Sequence, residues 1–226
     1  MSWLTDLLDV YGRVLRRAFD LTLKHWWLGL VAIAYVGAFF SLVVVAGHLG
    51  LAGGFLLGIG MAALISSWLV LVGQVVRNGR VTIAEVPESF LVHLFDVITL
   101  LFFRSLLNWA VTSSLGDTYV GMVLDLAIAV FLNAAPEQIY LGRNSGLSIL
   151  VESYRFIGAN WIEWLPVNAL FFVLFTAALF LVPVPAVAIV LGGIALAFGS
   201  IARGFLFLEL TTSSRRAREF ARRSTG

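Results

Sequence analysis

Two opposite charges inside long apolar stretches are the residues best placed to do chemistry in this chain. Arg104 lies in "LFFRSLLNWA" and Asp125 in "GMVLDLAIAV". A charge near the middle of a membrane costs roughly 2.5 to 3.5 kcal/mol, so an opposite charge at the same depth is the expected remedy. If the intervening turn is centred at residues 114–115, antiparallel pairing places both charges at one depth. The sequence therefore predicts an ion pair between Arg104 and Asp125.

The same antiparallel pairing predicts a second polar pair, between Asp96 and Asn133. This pair lies farther from the turn, near the ends of the two segments that the turn does not join. Such pairs can line a proton or substrate pathway, or they can fix the register of a helical hairpin. No series of acids or histidines leads to either pair, so the structural interpretation is favoured over transport.

Catalytic and metal-binding patterns are not recognised in the sequence. The histidines at positions 25, 48 and 93 are too far apart along the predicted spans to converge on one metal ion. His48, in "VVVAGHLG", is placed to ligate a haem or pigment through neutral imidazole, but a lone interfacial histidine is more often solvated. Glu137, Glu152 and Glu163 lack metal-ligand spacing, and no serine occupies a nucleophile elbow. We therefore predict neither an enzyme nor a cofactor.

The composition indicates the class of protein that must position these residues. Of 226 residues, 60% are hydrophobic and 12% charged, and the mean hydropathy is +0.97, whereas a soluble domain is about a quarter charged. The sequence predicts an all-α integral membrane protein that forms a single embedded domain over residues 1–226. The net charge of +2 comes mainly from basic residues beside apolar segments, which favours membrane orientation over nucleic-acid binding.

About six transmembrane helices and two amphipathic helices are predicted. Each span has about twenty apolar residues, enough to cross a hydrocarbon core of roughly 30 Å. The amphipathic segments are expected to lie in the membrane interface. The predicted spans are 26–47, 54–76, 90–113, 118–135, 161–182 and 186–208, and the interfacial helices are 1–25 and 146–160, with a basic tail at 209–226.

Basic residues set the predicted orientation. The links at 48–53, 113–118 and 183–186 contain no lysine or arginine, whereas all basic residues except Arg104 fall at the opposite ends of the spans. The positive-inside rule then places both termini in the cytoplasm of a bacterial inner membrane. The tail is expected to bind anionic lipid at the cytoplasmic face through Arg215, Arg216, Arg218, Arg222 and Arg223.

Aromatic residues mark two joints between an interfacial helix and a span. Trp26 and Trp27 form the first joint, and Trp161, Glu163 and Trp164 the second, with the tryptophans expected at headgroup level and Glu163 within reach of water. "AFDLTLKHWW" aligns with "SYRFIGANWI", which predicts a two-fold internal repeat. The alternative is that any two interfacial helices look alike.

Glycines are expected to form close-packing faces. Small residues let membrane helices approach one another, so such faces pack against other spans or a partner. The predicted faces contain Gly54, Gly58, Gly192 and Gly199.

The joints "F…HWW" and "SY…NWIEW" and the closing "RGFLFLELTTSSRRAREF" resemble those of bacterial six-span inner-membrane proteins of uncharacterised function. The resemblance implies a membrane geometry and no activity. Three hypotheses follow. The favoured one is a non-catalytic structural or assembly subunit bound to other membrane subunits. The alternatives are a small-molecule or lipid transporter with a polar site at Arg104 and Asp125, and a pigment-associated scaffold.

Overall fold

The fold is all-helical in the part of the chain that the structure describes. It is a computed structural model and describes residues 2–116, 118–142, 144–180 and 183–212. No strand occurs within these ranges. The five arginines predicted to bind lipid in the tail lie outside the described residues.

The described elements are one 3₁₀ turn and nine α-helices, several of them much longer than the average of about 11–12 residues. The 3₁₀ turn covers Ile83–Glu85. The helices are α1 (Ser2–Lys24), α2 (Trp27–Gly47), α3 (Gly50–Asn78), α4 (Val86–Ser89), α5 (Leu94–Leu115), α6 (Tyr119–Phe131), α7 (Ala135–Tyr140), α8 (Ser148–Phe180) and α9 (Pro185–Thr212).

Six helical segments are long and apolar enough to cross a membrane, which agrees with the number predicted. The fourth runs on from α6 through a turn into α7. The second begins four residues earlier than predicted, because α3 already starts at Gly50. The six are Trp27–Gly47, Gly50–Asn78, Leu94–Leu115, Tyr119–Tyr140, Ser148–Ala177 and Ala186–Thr212.

The predicted second joint is a break within α8. Asn160 has φ −129° and ψ 15°, which is not helical, so the segment before it and the span after it are two helices that meet at this residue. Pro166 lies further on in the same span and has no N–H to donate to the helix. The first joint is the short turn at His25 and Trp26 between α1 and α2.

The internal repeat is visible in the helix boundaries. A shift of 135 residues aligns Trp26 with Trp161, and the same shift aligns the break after α1 with the break at Asn160. It also aligns the turn at residues 48–49 with the one at 183–184, and the start of α3 with the start of α9. Each copy is therefore a helix, a break, a span, a turn and a returning span, and the segment from α4 to α7 is inserted between them.

Burial follows the same repeat at many positions. Trp26 and Trp161 are 59% and 55% exposed, and Phe19 and Tyr154 are 55% and 57% exposed. Similar sequences need not bury equivalent positions, so matching burial favours repeated packing over a chance likeness of two amphipathic helices. The pairs buried in both copies include Val14 and Ile149, Ala18 and Ser153, Thr22 and Ile157, His25 and Asn160, Leu28 and Glu163, Ala32 and Val167, Ala62 and Ala197, Leu71 and Leu206, and Val75 and Leu210.

The described residues group into two compact units. The first contains those within 1–34, 72–81 and 160–226, and the second those within 35–71 and 82–159. In the first unit α1 packs antiparallel to the end of α9, since Arg13 pairs with Glu209 at 3.0 Å and Arg17 lies 4.3 Å from the ring centre of Phe205.

Three faces divide the surface of α1, at 100° per residue. One face is buried, a second is apolar and exposed, and a third is charged and exposed, which fits a helix in contact with protein, acyl chains and water at once. The buried face holds Val10, Val14, Ala18 and Thr22, the apolar face Leu8, Phe19 and Leu23, and the charged face Asp9, Arg13, Arg16, Arg17, Asp20 and Lys24.

In the second unit α5 and α6 form a hairpin. Gly116 ends α5 with φ 56°, a left-handed conformation that glycine adopts without strain, and the Thr118 hydroxyl caps α6 by accepting from Gly121 N at 3.2 Å. Residues 104–110 and 122–126 are exposed without interruption. Nearly two turns of α5 and more than one of α6 therefore have exposed side chains, apart from the contact that the two helices make with each other.

The predicted glycine faces differ in what they contact within this chain. A Cβ atom built on Gly54 or Gly58 would meet no atom within 4 Å, so these two face open space within this chain. Gly60 instead lies against Leu42 of α2. Of the other two predicted glycines, Gly192 is buried and Gly199 lies against Phe171.

Candidate functional site

The polar residues of the α5–α6 hairpin form the first candidate site. With the Asn108 amide oriented so that its nitrogen faces α6, it donates to both carboxylate oxygens of Asp125, one of them at 3.2 Å. Asp125 therefore contacts a residue one helical turn from Arg104, which corrects the predicted register. No ion pair of Arg104 occurs among the described residues. We call Arg104, Asn108 and Asp125 the hairpin polar face.

Arg104, Asn108 and Asp125 are all exposed. On insertion scales each of the two charges costs roughly 2.5 to 3.5 kcal/mol at the centre of a span. One neutral amide does not neutralise Asp125, and Arg104 makes no ion pair that would offset its own charge within the described ranges. This arrangement favours a further partner for the hairpin polar face.

Asp96, of the second predicted pair, serves a turn. Its Oδ1 accepts from the backbone N–H of Gly146 at 3.0 Å, which ties the start of α5 to the turn before α8. Gly146 has φ 58°, so this turn takes a conformation that a glycine permits. The pairing of Asp96 with Asn133 stays a prediction.

A buried hydroxyl network is the second polar cluster, and the sequence pattern did not single it out. Ser67 Oγ lies 2.5 Å from both Tyr35 Oη and Ser89 Oγ, and Ser89 donates to Val86 O at 2.6 Å. Ser66 donates to Ser89 O at 3.4 Å and accepts from His93 N at 2.9 Å. The network thus satisfies backbone groups where α4 ends and α5 begins. Its only sequence signal was the adjacent serines in "ISSWL".

Ser67→Ala is expected to lower the free energy of unfolding by about 1–3 kcal/mol, because it removes the contacts to two hydroxyl groups. Ser41→Ala is the matched control, since Ser41 is exposed and bonds to Gly37 O in its own helix. Its effect should stay within about 0.5 kcal/mol. Denaturation in mixed micelles measures both, and equal effects would show that the network contributes no stability.

The third cluster surrounds Trp164 in the first unit. Trp164 is fully buried, with its ring 6.4 Å from that of Phe207 and 5.2 Å from the Arg203 guanidinium. The Trp164 and Phe207 rings meet edge to face, and the Arg203 guanidinium lies over the face of the Trp164 ring. Both geometries are favourable. Glu163 and Asn160 are 3% and 8% exposed, so the expectation that Glu163 stays within reach of water is wrong.

Tyr11 connects α1 to this cluster. Its hydroxyl donates to the backbone carbonyl of Glu163 at 2.6 Å. Burial, with the nearby Glu163 charge adding to it, raises the pKa of Tyr11 to about 12. The neutral phenol is therefore favoured in the folded state, where it can donate this hydrogen bond.

Tyr11→Phe is expected to cost about 1 kcal/mol near pH 7, the net value of one hydrogen bond. Folding raises the pKa of Tyr11 from 10.0. The stability that the neutral Tyr11 hydroxyl contributes is therefore complete below pH 10 and is lost as pH rises towards 12. Thermal unfolding at several pH values should therefore show a smaller alkaline loss for Tyr11→Phe than for the wild type. Tyr119→Phe, at an 89% exposed site, is the control, and an identical alkaline loss in all three proteins would contradict the assignment.

The histidines occupy three separate environments. His25 is buried, with Nε2 3.3 Å from Gly79 O at the end of α3. His48 is exposed in the turn between α2 and α3. His93 precedes α5. In the described ranges no three His, Asp or Glu side chains are grouped as a metal site would need.

Comparison with protein-family models, with curated proteins and with solved structures found no match to this chain. The hydroxyl network and the Trp164 cluster are buried and hold helices together, whereas the hairpin polar face is exposed.

Proposed function

We propose that this protein is a non-catalytic structural or assembly subunit of a larger membrane complex and that it binds its neighbours through the α5–α6 hairpin. The observation that carries the proposal is the continuous exposure of residues 104–110 and 122–126 together with the charges of Arg104 and Asp125. A neighbouring helix would cover these turns and neutralise both charges.

The inserted position of the hairpin supports this role. The two repeat copies carry the Trp164 cluster and most of the buried residues, so they form a stable scaffold. In the 18-residue apolar stretch of Leu94–Leu115 only 6% of the residues are buried inside the chain, against 39% in the corresponding stretch of Ala186–Thr212. A hairpin with so little burial in its own chain gains stability from contacts with another.

We further propose that the protein lies in a bacterial inner membrane with both termini in the cytoplasm and with α1 and the start of α8 at the interface. The chain contains no cysteine, so single cysteines report topology. An impermeant maleimide is expected to label His48→Cys in intact cells and Arg80→Cys only after permeabilisation. The opposite pattern would invert the orientation.

The transporter alternative gains no support from the helix break. Transporter sites are built from helices interrupted near the membrane midplane. Asn160 instead lies at the start of the predicted span 161–182, and the helix that follows it continues to Phe180.

Extraction from native membranes into nanodiscs, followed by native mass spectrometry, tests the proposed function. The expected result is an assembly of defined stoichiometry that is larger than the 24.7 kDa chain and that Arg104→Asp disrupts. Recovery of the wild type only as a monomer would contradict the proposal. Ser41→Asp is the matched control, because it places the same charge at an exposed position of α2.

A further inference from the structure

We infer that one occupant of the hairpin polar face is a second copy of this chain, bound by two reciprocal ion pairs between Arg104 of each copy and Asp125 of the other. The inference rests on the proposed function and names its partner. It follows from the charges, the depths and the exposure of these two residues.

The charges make the surface self-complementary. One hairpin presents a cation and an anion on exposed turns. A two-fold axis along the membrane normal brings the same surface of a second copy opposite the first, so that each cation meets an anion. A partner with only one kind of charge would leave either Arg104 or Asp125 uncompensated.

The depths of the two residues fit this geometry. Contact between Asn108 and Asp125 places them at one level of the hairpin. Arg104 is one helical turn from Asn108, or about 6 Å along the helix at 1.5 Å per residue. A rotation about the membrane normal leaves each residue at the same depth in both copies. The Arg104 side chain must therefore extend by one helical turn along the helix to meet Asp125 of the other copy, and it is long enough to do so.

The hairpin dimensions also fit. Residues 104–110 are exposed, and the side chains of Ser105 and Ala110 are small enough for close approach of a second helix. Asn108 remains bound to Asp125 within its own chain, so it orients the carboxylate for the incoming guanidinium. Two such hairpins would form a four-helix arrangement with the four charges at its centre.

Charge-reversal variants carried on two differently tagged copies test the inference. Wild-type copies are expected to co-purify, and Arg104→Asp alone or Asp125→Arg alone should reduce co-purification by about tenfold or more. Co-expression of an Arg104→Asp copy with an Asp125→Arg copy should restore it, because an ion pair re-forms between the chains. The double exchange in one chain should restore it as well.

An ion pair within a single chain predicts a different pattern. Each co-expressed single variant would then still contain two like charges within its own chain, so co-purification would not be restored. Only the double exchange would restore it, and that result would overturn the inference. Absence of wild-type co-purification would also overturn it. If the wild type does not co-purify with itself but a larger assembly with one copy of the chain still forms, the proposed function as a complex subunit stands and only the self-association is contradicted. Recovery of the monomer alone would contradict both the proposed function and the self-association.

Discussion

Trp164→Ala is expected to destabilise the protein by about 3–5 kcal/mol, the usual cost of truncating a tryptophan in a packed core. Among the described residues Trp164 is the largest fully buried side chain, and its removal leaves a cavity bordered by Phe207 and Arg203. The guanidinium would lose the ring face that it covers. Unfolding in mixed micelles, followed by circular dichroism to avoid the lost fluorophore, measures the change.

Trp161→Ala is the matched control for this prediction. Trp161 lies one turn earlier in the same helix, but its side chain is 55% exposed. Its loss should cost about 1 kcal/mol or less, since little packing inside the protein disappears. Equal destabilisation by the two variants would show that the Trp164 cluster is not the centre of this unit.

Gly193→Leu is expected to destabilise the protein by about 3 kcal/mol, the upper end of the usual cost of overpacking. A Cβ at position 193 would lie 2.5 Å from Gly29 O and 2.9 Å from a side-chain carbon of Ile33. Because the first contact is with backbone, a rotamer change cannot relieve it. Thermal unfolding in detergent provides the measurement.

Gly58 is the counterpart of Gly193 in the first repeat copy, 135 residues earlier, and it supplies the control. A Cβ there would meet nothing within 4 Å, so Gly58→Ala should be neutral or stabilising by up to about 1 kcal/mol through its helix propensity. A loss of assembly in Gly58→Ala with unchanged stability would show that this open glycine face binds a partner.

Hydropathy alone was enough to predict the six spans, because a helix that crosses a membrane needs about twenty apolar residues wherever it packs. The joints were predictable for a similar reason, since Trp26 and Trp161 interrupt the apolar pattern at equivalent places. The break at Asn160 and the turn at His25 occur there. These features depend on local sequence.

Register between helices was not predictable in the same way. The sequence predicts the turn of the α5–α6 hairpin at residues 114–115, but α5 continues to Leu115 and ends at Gly116. A two-residue shift of a turn moves antiparallel partners by about four residues, which is one helical turn. Asp125 therefore faces Asn108 instead of Arg104.

Which face of each helix is buried was equally unpredictable from the sequence. Glycine spacing predicts a packing face at Gly54 and Gly58, whereas the glycines that meet α2 within this chain are Gly53 and Gly60. The burial of Glu163 and Trp164 depends on coverage by other helices, including α1, whose Tyr11 reaches the backbone at Glu163. Long-range contacts of this kind leave no periodic signal in a single sequence.

Cysteine cross-linking in native membranes tests most directly whether the α5–α6 hairpin is a binding surface. Ser105→Cys places the only thiol of the chain on the exposed turns of α5, and Ser41→Cys places it at an exposed site of α2. With a membrane-permeant maleimide that carries a photoreactive benzophenone, which inserts into C–H bonds of a neighbouring protein, we expect after irradiation a discrete adduct for Ser105→Cys, at twice the mass of the chain if the partner is a second copy, and little for Ser41→Cys. No adduct from Ser105→Cys, or equal adducts from both, would contradict the assignment of the hairpin as a binding surface.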